Sequence, residues 1–141
     1  MGSILAIDYG LKRIGLAISD ENRLFAFPYS TIENKNNETV INRIKEIILE
    51  KEIDLILIGI SYYKKEVHGK ISMEDIVTNF TNKLKKSINI KVDIIDERFS
   101  TFAANENLKE AGISAKEAKK YIDQEAARLL LEEYISKINK T

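Results

Sequence analysis

The stretch from Ile53 to Ile60 most narrows what this chain can become. It reads Ile-Asp-Leu-Ile-Leu-Ile-Gly-Ile, almost continuously apolar and closed by Gly59. So apolar a run cannot leave one face in water. It therefore predicts a central strand covered on both faces, as parallel strands are. Parallel strands need crossover connections, usually helices, and the flanking sequence supplies them. Upstream, Val40, Ile41, Ile44, Ile47 and Ile48 recur at helical spacing behind the polar opening Glu33 to Glu38, with Arg43, Lys45, Glu46 and Glu50 facing out. Downstream, Ser72 and Asp75 resemble a helix cap ahead of Met73, Ile76, Val77, Phe80 and Leu84. A further strand, Ile90 to Ile95, then runs into Asp96-Glu97-Arg98.

The N-terminal part reads as three short strands. Ile4 to Asp8 ends at the turn Tyr9-Gly10. Ile14, Leu16 and Ile18 alternate with Gly15, Ala17 and Ser19, as in a strand with one packed face. After the polar turn Asp20 to Arg23, Leu24 to Thr31 forms the third. It contains the sole proline, Pro28, which places it at a sheet edge or at a bulge. At the other end, Ser100 or Thr101 caps a helix that stops at Gly112, a usual residue just past a helix C-terminus. Ser114-Ala115-Lys116-Glu117 matches a capping box and opens the last helix, to about Ile138. The order is β-β-β-α-β-α-β-α-α. A meander feeding two crossover units predicts an α/β fold with a mixed five-stranded sheet and helices on both faces. No repeat or linker divides the 141 residues, so residues 1–141 read as a single domain.

Composition narrows the chemistry. The chain has no cysteine, which removes disulfides, thiolate zinc sites and cysteine nucleophiles and suits a reducing cytoplasm. His68 is the single histidine, so a histidine-rich metal site or a histidine-based triad lacks material. A metal here would be hard and oxygen-bound, Mg²⁺ or Mn²⁺ before zinc. No apolar run is long enough to span a membrane, and the N-terminus lacks the basic segment of a secretory signal. Lys+Arg and Asp+Glu balance at 22 each, so a nucleic-acid partner would need a local basic patch rather than bulk charge.

Three carboxylates stand where this architecture can bring them together. Asp8 ends the first strand, Glu97 just overruns the last, and Asp123 lies in the first turns of the final helix. In such sheets the first strand is central, and the C-terminal ends of parallel strands open on one crevice, where ligands bind. Ala126, Ala127 and Gly15 are small enough to let the final helix approach the sheet closely. Three acids without a lysine nucleophile or histidine base suit hard cations, and two such ions about 4 Å apart can drive hydrolysis of a phosphodiester. Taken singly, each acid has another reading: Asp8 as a solvated turn residue, Glu97 as part of a surface ion pair, Asp123 as an exposed helix acid.

The same residues carry a resemblance. Asp8-Tyr9-Gly10-Leu11-Lys12-Arg13-Ile14-Gly15 resembles the opening signature of the bacterial YqgF family, described as Holliday-junction-resolvase-like proteins or pre-16S ribosomal RNA nucleases. Asp96-Glu97-Arg98-Phe99-Ser100-Thr101 is similar to its Asp-Glu-Arg-x-[Ser/Thr]-Thr motif. Glu110-Ala111-Gly112-Ile113-Ser114 resembles its Glu-Ala-Gly-Leu-Ser turn, and Asp123-Gln124-Glu125-Ala126-Ala127 its Asp-x-x-Ala-Ala helix motif. The match runs from about Ile4 to Tyr134. The resemblance implies an RNase H-like fold and metal-dependent phosphodiester cleavage that matures the 5′ end of 16S ribosomal RNA. It implies Asp8, Glu97 and Asp123 as catalytic, metal-binding acids, with Lys12, Arg13 and Arg98 as basic residues at the site. The alternative substrate is branched DNA. Junction resolution would favour a homodimer, whereas end-trimming of RNA needs only a monomer.

One segment departs from the family pattern. Its usual Gly-Leu-Pro reads Gly59-Ile60-Ser61 here, followed by Tyr62-Tyr63-Lys64-Lys65-Glu66-Val67-His68-Gly69-Lys70. Lys64 and Lys65 beside two tyrosines suit phosphate and an unpaired base, and equally suit a solvated loop. Lys116, Lys119 and Lys120 precede Asp123 on its helix and either flank the crevice or simply face water. Two other readings stay open. Asp-x-Gly after a first strand also occurs in the phosphate loops of actin-like and sugar-kinase ATPases, although those need two such domains. A nucleic-acid-binding module that has kept the fold and lost catalysis is the other.

Overall fold

The computed structural model describes residues 2–61, 73–97, 112 and 115–139, without the side chains of residues 60, 61, 73, 96, 97 and 115–120. Five strands form one sheet: β1 (Ser3–Asp8), β2 (Arg13–Ser19), β3 (Ala26–Glu33), β4 (Ile53–Ser61) and β5 (Lys91–Glu97). Three helices accompany them: α1 (Asn37–Lys51), α2 (Met73–Ser87) and α3 (Ala115–Ile138). The sheet order is β3-β2-β1-β4-β5. β1 pairs antiparallel with β2 and parallel with β4, which pairs parallel with β5. This is the mixed five-stranded sheet expected, with β1 at its centre. The helix expected between Ser100 and Gly112 lies outside the described residues. Gly112 itself has φ +80, the left-handed conformation suited to a residue following a helix.

Alternation along the strands sorts the core into two layers. Leu5, Ile7, Ile14, Leu16, Ile56 and Ile58 face Val40, Ile44 and Ile47 of α1 and Val77, Phe80 and Leu84 of α2. Ile4, Ala6, Ala17, Leu55 and Leu57 face Ala127, Leu130, Leu131 and Ile135 of α3. The apolar run of β4 is thus covered on both sides, with Ile56, Leu57 and Ile58 each fully buried.

Two expectations need correction. β2 has two packed faces rather than one: Gly15 and Ala17 are buried as fully as Ile14 and Leu16, because α3 lies directly on the small residues. β3 begins at Ala26 rather than Leu24. The Asp20 carboxylate accepts hydrogen bonds from the N–H groups of Leu24 (2.8 Å) and Phe25 (2.7 Å), which holds those residues in the preceding turn. Pro28 satisfies both parts of its expectation. β3 is an edge strand, and its register with β2 slips between Leu16 and Ala17, whose partners are Ser30 and Pro28. A residue that cannot donate a backbone hydrogen bond is placed where the ladder is already interrupted.

α1 is set by local chemistry at both ends. The Asn36 side chain accepts from Thr39 N–H at 2.8 Å, as an N-cap does. At the other end Glu52 takes a left-handed conformation (φ 53) and its N–H returns to the Ile48 carbonyl.

Candidate active site

β1 carries Asp8 to the middle of the sheet because the residues before it, Ile4 to Ile7, are completely buried on both faces. In register, Asp8 stands opposite Gly15 of β2 on one side and Gly59 of β4 on the other. Both glycines belong to the face covered by α3: a Cβ at Gly15 would meet Asp123, and one at Gly59 would meet Leu130. Asp8 shares that face by alternation with Ile4 and Ala6. It is only 3% exposed.

α3 brings the second acid. Its N-terminal half crosses β2 where Gly15 offers no side chain, so the Asp123 main chain seats directly on the strand, at the register position facing Asp8. Ala126 and Ala127 continue the close approach and are buried. The Asp123 carboxylate accepts from Arg13 Nε at 3.0 Å, with its side chain one-tenth exposed. The next residue, Gln124, donates from Nε2 to Thr31 Oγ1 of β3 at 3.0 Å, which ties this turn of α3 to the sheet edge. The structure thus pairs Arg13 with Asp123 and sets Asp8 and Asp123 against the same glycine.

Glu97 is the last residue of β5, paired in register with Ser61, two positions beyond the Gly59–Ile95 pair that flanks Asp8. Its side chain is outside the description. Lys12 lies in the exposed turn between β1 and β2, beside Arg13. Lys119 and Lys120 lie on α3 ahead of Asp123, their side chains again not described. Arg98, Lys64 and Lys65 lie outside the described residues. Among the described residues no group of three metal-ligating side chains stands together. Two carboxylates buried at one strand end still form a hard-oxygen donor set. Buried carboxylates require positive charge nearby, and Arg13 supplies part of it. The residues therefore fit a hard divalent cation.

Sequence reasoning missed the segment after β3. Asn34 donates from Nδ2 to the Gly10 carbonyl at 2.8 Å and from its backbone N–H to the Lys12 carbonyl at 2.9 Å, fastening that segment to the turn after Asp8. The polar stretch Glu33 to Glu38 had signalled only the start of a helix.

Comparison with known proteins decides the family. The RuvX family model, described as Holliday junction resolvase, matches residues 2–137. The chain belongs to this family. The YqgF resemblance of its motifs is thereby borne out across nearly the whole RuvX domain. A relative from Maridesulfovibrio salexigens is 34% identical over 139 residues, covering 95% of this chain and 98% of the relative. One from Clostridium acetobutylicum is 37% identical over 136 residues, covering 96% and 98%. Both bear names that make them candidate pre-16S rRNA nucleases. Among solved structures, T. thermophilus RuvC in complex with a Holliday junction substrate matches with TM-score 0.60 at 10% identity, over 99% of this chain and 97% of that one. The Fowlpox virus resolvase bound to Holliday junction DNA matches with TM-score 0.57 at 12% identity, over 98% and 99%. At these identities the likeness establishes the RNase H-like fold of the RuvX chain and nothing finer.

Proposed function

We propose that this chain is a divalent-metal-dependent nuclease that matures the 5′ end of 16S ribosomal RNA in the bacterial cytoplasm. Family membership and the names of its relatives support nuclease hydrolysis of phosphodiester bonds as the activity class. One observation carries the assignment to a site. Asp8 and Asp123, from opposite ends of the chain, are both buried and both lie against Gly15, the strand partner of Asp8 whose Cβ would meet the Asp123 main chain. Glu97, the last residue of β5, would be the third acid of the set. These three acids would hold Mg²⁺ or Mn²⁺, which when bound activates water and stabilises charge at the phosphodiester. Asp8 and Asp123 supply oxygen donors in a site shielded from bulk water. Arg13, hydrogen-bonded to Asp123 and half exposed, orients that carboxylate and presents its remaining N–H groups to an incoming phosphate.

The test compares wild type with Asp8→Asn on a labelled precursor 16S rRNA fragment and on a four-way DNA junction, each with Mn²⁺ and with chelator. Metal-dependent cleavage of the RNA, abolished by chelator and by Asp8→Asn, is the expected result. Cleavage of the junction alone would assign the site to branched DNA, the reading that the family model's description favours. Equal binding by both proteins with no metal-dependent cleavage of either substrate would overturn the enzyme reading and leave a binding module.

A further inference from the structure

The ladders of β1 with β2 and with β4 both finish at Asp8. The residues that follow it, Tyr9 to Lys12, lie outside any strand. Their first free joint is Gly10, whose backbone has the widest conformational range of any residue. Asn34 limits that range: its Nδ2 donates to the Gly10 carbonyl at 2.8 Å and its backbone N–H donates to the Lys12 carbonyl at 2.9 Å. A matching tie stands beside the second acid. Gln124, next to Asp123, donates from Nε2 to Thr31 Oγ1 at 3.0 Å. Thr31 belongs to the edge strand β3, and Asn34 directly follows its last residue, Glu33. Two hydrogen bonds from one short stretch at the sheet edge therefore reach the segments that carry Asp8 and Asp123. Neither Thr31 nor Asn34 lies in a motif that carries the family resemblance, and the Asp-x-x-Ala-Ala motif leaves the position of Gln124 open.

Resting on the nuclease reading above, we infer that Asn34 and Thr31 are positioning residues, through which an edge strand that supplies none of the three acids sets where two of them stand. Asn34 acts on Asp8 and Thr31 on Asp123. The Asn34 tie to Lys12 is made by backbone and survives any change of side chain, and Arg13 is also held by its register with Glu33. Substitution at Asn34 thus frees the Gly10 end of the turn, nearest Asp8, and leaves the Arg13 end in place. Hydrogen-bond partners that orient metal-binding groups change affinity or activity by about 10–100-fold when removed. They do so here through geometry rather than stability. Thr31 and Asn34 are both partly exposed, so water takes the place of the lost partner at little cost.

Two measurements test the assignment: Mn²⁺ affinity of the free protein by calorimetric titration, and single-turnover cleavage of the labelled precursor 16S rRNA fragment. Wild type is compared with Asn34→Ala, Thr31→Val, Thr31→Ser and Asp54→Asn. The last breaks a hydrogen-bonded tie at the opposite end of the sheet and controls for stability alone. Asn34→Ala and Thr31→Val are each expected to bind Mn²⁺ about 10-fold more weakly. Both cut with a lower maximal rate at unchanged half-saturation by RNA, and both keep the wild-type melting temperature. Thr31→Ser, which retains the hydroxyl, restores affinity and rate, and Asp54→Asn alters neither. Wild-type affinity and rate in both Asn34→Ala and Thr31→Val overturn the inference and leave the nuclease reading standing. A rise in Mn²⁺ affinity in Asn34→Ala also overturns it, because that is the sign of a displaced Arg13 cation rather than a loosened Asp8. Losses that Asp54→Asn reproduces mark the two residues as merely structural. A wild-type protein that neither binds Mn²⁺ nor cleaves would bring down the nuclease reading together with the inference.

Discussion

Gly15 presses against the main chain of Asp123: a Cβ there would stand 2.0 Å from the Asp123 carbonyl oxygen and 2.1 Å from its carbonyl carbon. Gly15 is also the antiparallel partner of Asp8. One missing side chain therefore sets the height of α3 over β2 and the approach of the second acid to the first. The contact is with backbone, which has no rotamer through which to yield.

Gly15→Ala follows from this. The helix must lift or slide, so the variant loses about 1–3 kcal/mol of stability, typical of overpacking a filled interior. Cleavage falls further than stability alone explains, by about 100-fold for a displacement near 1 Å, although no ionisable group has changed. Urea unfolding and single-turnover cleavage measured on the same preparation check both effects. Normal turnover by a folded Gly15→Ala protein would show that Asp123 is not positioned by this contact.

Gly59 gives a graded comparison. A Cβ there would lie 2.8 Å from Leu130 Cδ2, the far end of a side chain that can change rotamer. Gly59→Ala is therefore expected to cost less than Gly15→Ala, under about 1.5 kcal/mol, and to leave most of the cleavage rate. Parallel melting curves of the two variants test the ranking.

Arg13→Gln should move two affinities in opposite directions. Removing the cation that neutralises Asp123 strengthens Mn²⁺ binding to the free protein by several-fold, since a positive charge nearby opposes a second one. The same change weakens RNA binding and lowers its salt slope by about one. Calorimetric titration with Mn²⁺ in the absence of nucleic acid reads the first effect. A fall in both affinities would mean that Arg13 mainly supports the fold of the site.

The opposite end of the sheet has its own acid-sensitive tie. Burial pulls the Asp54 carboxyl upward, but the hydrogen bond from Gly2 N–H and the Arg23 guanidinium outweigh it and hold the group below its ordinary 3.8. A carboxylate with a depressed folded-state pKa adds stability above its unfolded value, and that stability disappears as pH falls through the folded value. Asp54 is 43% exposed, so screening limits the contribution. Asp54→Asn is expected to cost about 0.5 kcal/mol at pH 7 and progressively less as the pH is brought below 3.8 toward the folded-state value. Denaturant titrations at pH 7 and over a series below 3.8 check the convergence.

The strands and helices were legible because burial imposes periodicity. Ile53 to Ile60 had to be a covered strand, and the isoleucines at positions 41, 44, 47 and 48 had to be one face of a helix. Where local chemistry competed with periodicity, the boundary moved: the Asp20 carboxylate claimed Leu24 and Phe25 for the turn. The acids were visible as candidates, since Asp8 and Glu97 end predicted strands and Asp123 heads a predicted helix. The tie between the segment after β3 and the turn after Asp8 was not, because it is made by Asn34, whose hydrogen bonds to Gly10 and Lys12 leave no trace in a pattern of apolar residues.

Sequence alone thus determined the α/β class, the order of the described strands and helices and, through its motifs, the family. Hydrophobic period, residue chemistry and signature spacing are all written along the chain. Tertiary structure decided that Asp8 and Asp123 lie against the same glycine. Asp8 and Asp123 are 115 residues apart, and their meeting depends on strand register and on the depth to which α3 sinks over Gly15. Those are properties of packed surfaces, set by volumes that become neighbours once the chain has folded.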